Sequence, residues 1–273
     1  MSEELLEFKN FKLGIQEVLL NVQNLYQNQG ERNQFECRLC EFLKSDHSNN
    51  TIFWREGDSL AYRTEQIIPK RQDNRKPLLM LLGNPASHSV KEEMFFSYER
   101  DGQEHRFWKV LDKSGIFPLS PENMDLHERN KLRKQMLSDL NYCSLFSIGL
   151  AVFYSMPSPS SGKWAGVAGL KRLFRKEAFC RITEWERKRV NEIIKDFLSH
   201  RLGIVVAFQK DAYSKIKSKD SECYSREKIM VNGIKGKWQC NENVPLYCAA
   251  PTRNMQTNLH LLKEIMGSAT GQH

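Results

Sequence analysis

The sequence predicts an α/β protein, a three-layer α/β/α sandwich around a central, mostly parallel sheet of four strands. Three observations carry this. Four short, nearly continuous apolar runs, Leu78–Leu82, Ile148–Tyr154, Ile204–Phe208 and Val244–Ala250, have the length of strands buried on both faces. Three of these strands end in polar turn clusters: Gly83-Asn84-Pro85, Ser155–Lys163 and Pro251–Asn254. Stretches of helical periodicity separate the strands. That alternation is the pattern of a parallel sheet with crossover helices, and the handedness rule brings the turns to one edge.

The whole chain narrows the class further. Its 273 residues suffice for one large domain, or one domain with an appendage. No apolar stretch approaches a membrane span, and the opening MSEELLEFKN lacks the apolar core of a signal peptide. A cytoplasmic protein without a membrane partner is expected, nucleoid-associated if bacterial, and monomeric. Seven cysteines, an odd number over a long chain, do not form a disulfide framework. In a reducing compartment they are thiols or metal ligands. The net charge of +8 and the pI near 9.1 favour a polyanionic partner. Basic residues gather in Lys70–Lys76, in Lys171–Lys176 and between Lys210 and Lys237.

Taken in order, residues 1–35 read as helical. Leu6, Leu13, Val18, Leu19, Val22 and Leu25 fall near helical spacing, and Gly30 is a plausible stop. The only close cysteine pair follows, Cys37 and Cys40. Residues 45–76 are polar and irregular, with short strand candidates such as Thr51–Trp54. Together, 1–75 form a helical and irregular N-terminal extension, and 76–266 form the main domain. Beyond the first strand, Met94–Phe96 is an apolar patch in a polar loop. Residues 99–104 read as a solvated turn. Phe107, Val110 and Leu111 give a helical stripe ending near Gly115, broken by Pro118 and Pro121. Residues 127–141 are charged, an exposed helix or insertion.

After the second strand, residues 170–179 are basic and amphipathic. Thr183 and Glu186 have capping-box spacing, opening a helix with Val190, Ile193, Ile194, Phe197 and Leu198 on one side. Gly203 ends that helix. Another helix starts near Asp211, and 216–228 are a polar insertion. Asn232-Gly233 between Ile229–Val231 and Ile234 predicts a hairpin with a type I′ turn. A C-terminal helix carries Leu259, Leu262 and Ile265. Residues 267–273 are expected to be a disordered tail.

These stretches, in this order, resemble the uracil-DNA glycosylase superfamily, most closely its mismatch-specific branch. Leu82-Gly83-Asn84-Pro85 matches that branch's strand ending in Gly-x-Asn-Pro. Met94–Phe96 occupies its Phe loop. His105-Arg106-Phe107-Trp108-Lys109-Val110 is close to its Asn-Arg-Phe-Trp-Lys-Val helix. Residues 206–213 look like its strand-turn-helix of Leu-Gly-Lys-x-Ala-Tyr type. Ala250-Pro251-Thr252-Arg253-Asn254 stands where the family has Asn-Pro-Ser or His-Pro-Ser and an intercalating loop. Three departures stand out. The glycine directly precedes Asn84, Ala250 replaces a polar residue, and insertions fall near 116–145 and 214–228.

The resemblance implies a DNA glycosylase with the family's sheet fold, excising uracil or a related damaged base after flipping it from the stack. Asn84, by resemblance and by place, would position the attacking water. An amide is no strong base near neutral pH, so catalysis would rest on orientation and electrostatics. The plainer alternative for Asn84 is a turn residue bonding local backbone. Phe95 or Phe96 would stack on the base or belong to the core. His88 and Ser89 would donate to the base or to a phosphate, or be structural. Ser158, Ser160, Thr252 and Arg253 suit phosphate contact. Asn254 or Met255 would be the wedge, with a core role the alternative for Met255. No cofactor is expected. Some branches hold an iron–sulfur cluster, for which Cys37, Cys40 and Cys180 are weak candidates and Cys143 a substitute. Zinc with His47 is a further option, and plain buried thiols are the favoured reading of the pair. Two rival functions share the fold: a catalytically weak or inactive DNA- or nucleotide-binding protein, and a hydrolase or transferase for free nucleosides.

Overall fold

The computed structural model describes residues 5–99, 102–119, 123–199 and 201–270. In chain order the elements are β1 (Leu6–Lys12), β2 (Ile15–Asn21), α1 (Val22–Leu25), α2 (Gln29–Lys44), α3 (Asn49–Ile52), β3 (Phe53–Glu56), β4 (Ser59–Glu65), β5 (Lys76–Leu82), α4 (Ser87–Lys91) and α5 (Arg106–Lys113). There follow α6 (Leu126–Asp139), β6 (Phe146–Val152), α7 (Gly166–Phe174), α8 (Lys176–Leu198), β7 (Ile204–Ala207), α9 (Lys210–Ile216), α10 (Arg226–Val231), β8 (Ile234–Trp238), β9 (Asn241–Cys248), a 3-10 turn (Thr252–Asn258) and α11 (Leu259–Thr270). The chain forms two units. Unit 1 holds Met1–Gln66, Asn84–Phe95 and Tyr154–Arg189, and unit 2 holds Ile67–Gly83, Phe96–Phe153 and Val190–His273.

Unit 2 is built on a five-stranded sheet of order β6-β5-β7-β9-β8. The four apolar runs are its four parallel strands, paired as Leu79 with Gly149, Leu79 with Val205, and Val206 with Tyr247. β8 is a fifth strand, antiparallel to β9, so the expected four-stranded sheet gains an antiparallel edge. The runs are apolar throughout because both faces are covered: Leu78 to Leu82 and Ile204 to Ala207 are at most 3 % exposed.

The edge strand was obscured by Asn232-Gly233, which is not a hairpin turn. Arg226–Val231 is helical, Asn232 caps it, and Gly233 takes the left-handed φ of +71° that ends a helix. A Cβ on Gly233 would stand 2.8 Å from Leu261 Cδ2. The reversal between the strands falls instead at Gln239-Cys240.

The stripe Phe107, Val110 and Leu111 is the buried side of α5. α6 is the expected charged helix, yet it buries Arg133 completely, over the Trp108 ring at 5.1 Å and paired with Glu104. Gly203 does not end α8, which stops at Leu198. Gly203 lies where a Cβ would come within 2.8 Å of the Pro77 carbonyl oxygen, so it admits the chain to β7. α11 continues through Thr270, so Gly267 to Thr270 are helical and not a loose tail. The remaining tail residues 271–273 lie outside the described residues, as do Pro121 and positions 100 and 101 of the expected turn.

Unit 1 contains the main departure from expectation. Residues 6–21 are an antiparallel hairpin, not a helix, and they extend into a sheet of order β1-β2-β4-β3. The turn is made at Gly14, φ +76°. Leu6, Ile15, Val18 and Leu20 are buried while Glu7 and Lys9 are exposed, and the coincidence of Leu6, Leu13 and Val18 with a helical period misleads. Gly30 falls in the first turn of α2, whose cap is Asn28 accepting from the Glu31 N–H. Thr183 and Glu186 are no capping box: both are interior to α8, which begins at Lys176. Thr183 Oγ1 instead donates back to the Phe179 carbonyl at 2.7 Å.

Candidate functional site

β5 delivers the chain to Asn84, and β6 delivers it to Tyr154–Ser160. In unit 1 these two turns are joined by hydrogen bonds. The Ser158 N–H donates to Pro85 O at 3.1 Å and the Ser87 N–H to Ser158 O at 2.9 Å, a short parallel bridge. Asn84 completes the junction. Its Nδ2 donates to Ser158 Oγ at 2.9 Å, to Pro85 O at 3.2 Å and to Met156 O at 3.4 Å. Two of these acceptors are carbonyl oxygens, which can only accept. The amide orientation is therefore fixed by chemistry: nitrogen toward the turn, Oδ1 away from it. Among the described residues Oδ1 takes no hydrogen bond. Asn84 is thus a turn residue and a presented acceptor at once.

The second turn is held from behind. Glu186 is 1 % exposed and accepts from both the Ser155 N–H and the Ser155 hydroxyl at 2.5 Å. Arg189 Nε neutralises its other oxygen at 2.6 Å. Tyr62 Oη lies 2.8 Å from Ser155 Oγ, and burial pushes its phenol up, far from ionisation. Sequence reasoning missed Glu186, Ser155 and Tyr62 as supports. Their partners are distant along the chain, and a mid-helix glutamate carries no local signal of burial.

The other expected contacts of unit 1 divide by exposure. Ser158 is 1 % exposed and its hydroxyl accepts from Asn84, which makes it a clamp on the turn. Ser160 is exposed. Ser89 and Phe95 are each 2 % exposed, placing both in the core of this unit. His88 is half-buried, its Nε2 3.5 Å from Ser89 Oγ.

In unit 2, Phe96 is only half-buried and its backbone has φ +52°, a conformation unfavourable for a bulky residue. Its ring packs on His105 at 4.7 Å and on Phe107 at 4.3 Å, and its carbonyl accepts from Trp108 Nε1. Of the two phenylalanines, Phe96 is the one that is not fully buried. At the start of α5, Arg106 grips Glu99 through two nitrogens, which lowers the pKa of the Glu99 carboxyl to about 2.

The last turn differs from the expected helix start. Thr252–Asn258 is a 3-10 turn with a kink at Asn254, and α11 begins only at Leu259. Thr252 is half-buried and Arg253 exposed, its carbonyl accepting from Arg106 at 3.2 Å. Asn254 Nδ2 is directed to Met230 Sδ at 3.3 Å. Met255 is fully buried and is a core residue here, not a presented wedge, because the tight turn directs it inward. Ala250 brings no polar side chain to this turn, and Asn258 does not supply one. That amide is consumed on Ala250's own backbone, accepting from its N–H at 2.7 Å and donating to its carbonyl at 2.9 Å.

Among the described residues no three His, Cys, Asp or Glu side chains converge as a ligand set. Cys37, Cys40 and Cys180 are exposed free thiols, as is Cys143, and the imidazole of His47 is exposed without a cysteine set beside it. Cys248 is the one buried thiol, pushed up to about 12 by desolvation. Titration of the native protein with a thiol reagent should therefore count six reactive cysteines, with the seventh appearing on denaturation. A count of five or fewer would reveal a bond or ligand holding the others.

Among the described residues no helix is long and apolar enough to cross a membrane. Comparison with models of known protein families and with curated proteins gives no match.

Proposed function

We propose that this chain is a DNA base-excision glycosylase of the uracil-DNA glycosylase type, with that family's three-layer sandwich, cleaving the N-glycosidic bond of a flipped uracil or related base. The observation that carries the reading is Asn84. It follows β5, an interior parallel strand, at the end where α/β sheets place ligands, and it presents an amide oxygen whose direction is set by its own nitrogen's bonds. Such an oxygen can hold a water by accepting one of its hydrogens. That aligns the water oxygen for attack on the sugar carbon as the base departs. The amide takes no full proton; as the C–O bond forms and the C–N bond breaks, the water's proton passes to the departing base anion or to solvent, so the rate rests on positioning and on stabilising the cationic sugar. In the same unit as Asn84, Ser160 supplies an exposed hydroxyl for a phosphate.

The second reading, a binding protein without excision, is favoured by one feature. Ala250 offers no side chain to the base, and Asn258 is too occupied to serve. Incubation with labelled oligonucleotides carrying uracil, hypoxanthine, xanthine or a mismatch, followed by alkali, separates the two. Cleavage at one of these bases is expected. Salt-sensitive binding with no cleavage at any of them would replace the enzyme with the binding protein.

A further inference from the structure

We propose that the junction of α7 and α8 is a contact surface for the phosphodiester backbone of DNA, centred on Arg175. The proposal deepens the reading above and rests on it only for DNA as the partner.

Arg175 joins the two helices with φ +67° and ψ 174°. That region of backbone space is populated almost only by glycine, because a Cβ is crowded there. The conformation is imposed from outside the residue. Its N–H donates to Lys171 O at 3.0 Å, closing α7, and its carbonyl accepts from Phe179 at 2.9 Å, opening α8. The preceding residues are tied down as well, Leu173 O by Arg38 Nε at 2.7 Å and Phe174 O by Tyr26 Oη at 3.1 Å. Glycine would satisfy every one of these bonds without strain. The arginine side chain offers no packing in return. It is exposed and has no hydrogen bond or ion pair among the described residues. An arginine kept where the fold asks for glycine is explained by something the guanidinium does outside the chain.

Its surroundings say what that is. Lys171, Arg172 and Lys176 are exposed on the same short stretch. Arg172 donates to Lys163 O, and Lys171 stands over the Phe179 ring at 5.5 Å. The acid in the run is Glu177. Of the exposed acids flanking it, Glu41 is bound by Lys163 at 2.7 Å and Glu184 by Arg187 at 2.9 Å. A guanidinium among lysines, on a chain of net charge +8, suits phosphate. A lipid surface suits it less: Leu170, Leu173, Phe174, Ala178 and Phe179 are all buried, so no apolar face is left to enter a membrane.

The test compares wild type with Arg175→Gly, Arg175→Gln and Lys176→Gln, using an undamaged labelled duplex across a salt series and thermal unfolding in parallel. Arg175→Gly should raise the apparent Tm by roughly 2 to 5 °C, while Arg175→Gln leaves it near wild type. Both should flatten the slope of log affinity against log salt by about 0.9, or about eightfold in affinity between 1 M and 0.1 M. Lys176→Gln should act in the same direction. Unchanged slopes in both Arg175 variants would overturn the proposal, as would wild-type binding to phosphatidylserine vesicles in preference to the duplex. Excision activity is scored separately. Variants that excise and bind as wild type leave the glycosylase standing without this surface. A wild type that never excises, with slopes flattened as expected, leaves the surface standing without the glycosylase.

Discussion

Asn84→Ala should lower base excision by about 10²- to 10³-fold while leaving affinity for the damaged duplex within a few-fold of wild type, since it removes the group that orients the attacking water. The substitution also deletes the donor shared by Ser158 Oγ, Pro85 O and Met156 O. Each of those acceptors sits in a part-buried turn, and the loss should cost about 1 kcal/mol of stability. Single-turnover kinetics beside a melting curve separate the two effects. An Asn84→Ala protein that excises like wild type would remove the mechanism. Asn84→Asp is the informative partner. A carboxylate is the stronger base, but it would aim a negative oxygen at two carbonyl oxygens that the amide nitrogen now satisfies. It should therefore destabilise the turn more than alanine does, and any gain in rate should come with a lower melting temperature.

The second large effect is expected at Glu186. Glu186→Ala should destabilise the protein by about 3–5 kcal/mol, because it takes the acceptor from the buried Ser155 N–H and breaks the buried ion pair of Glu186 with Arg189. For a chain of this size that is a fall in Tm of roughly 6 to 20 °C. Glu186→Gln keeps an acceptor for the Ser155 amide and should lose about half as much. Thermal unfolding of the three proteins checks the order. Glu186→Ala melting within about 2 °C of wild type would show that the carboxylate does not hold the turn. Ser155 stands three residues before Ser158, so loosening it should also lower excision without changing the protein's response to pH in the way a lost base would.

The parallel strands could be read from the sequence because burial on both faces writes itself as an unbroken apolar run, as in Leu78–Leu82. The turn at Asn84 was legible for the same reason, since a strand stopped by Gly83 and Pro85 leaves the first polar side chain at its end. The N-terminal hairpin was not. Its apolar residues, spaced among Leu6, Leu13 and Val18, fit a helix as well as a strand pair, and only the left-handed Gly14 distinguishes them. Asn232-Gly233 shows a second ambiguity: the same dipeptide suits a type I′ turn and a helix C-terminus, and the packing of Leu261 decides. For the residues singled out in the sequence, the states were not readable. The direction of an amide, the left-handed backbone of Phe96 and the burial of Ser158, Phe95 and Met255 depend on partners far away in the chain.

The chain leaves one unit and enters the other at Gln66/Ile67, Gly83/Asn84, Phe95/Phe96, Phe153/Tyr154 and Arg189/Val190. Neither unit is therefore a continuous stretch of gene. No single cut of the coding sequence yields either one intact, and a start at residue 76 would strip β1 to β4 from the segments 84–95 and 154–189 that share their unit. With three separate segments each, neither unit can be added or removed as one uninterrupted piece of coding sequence.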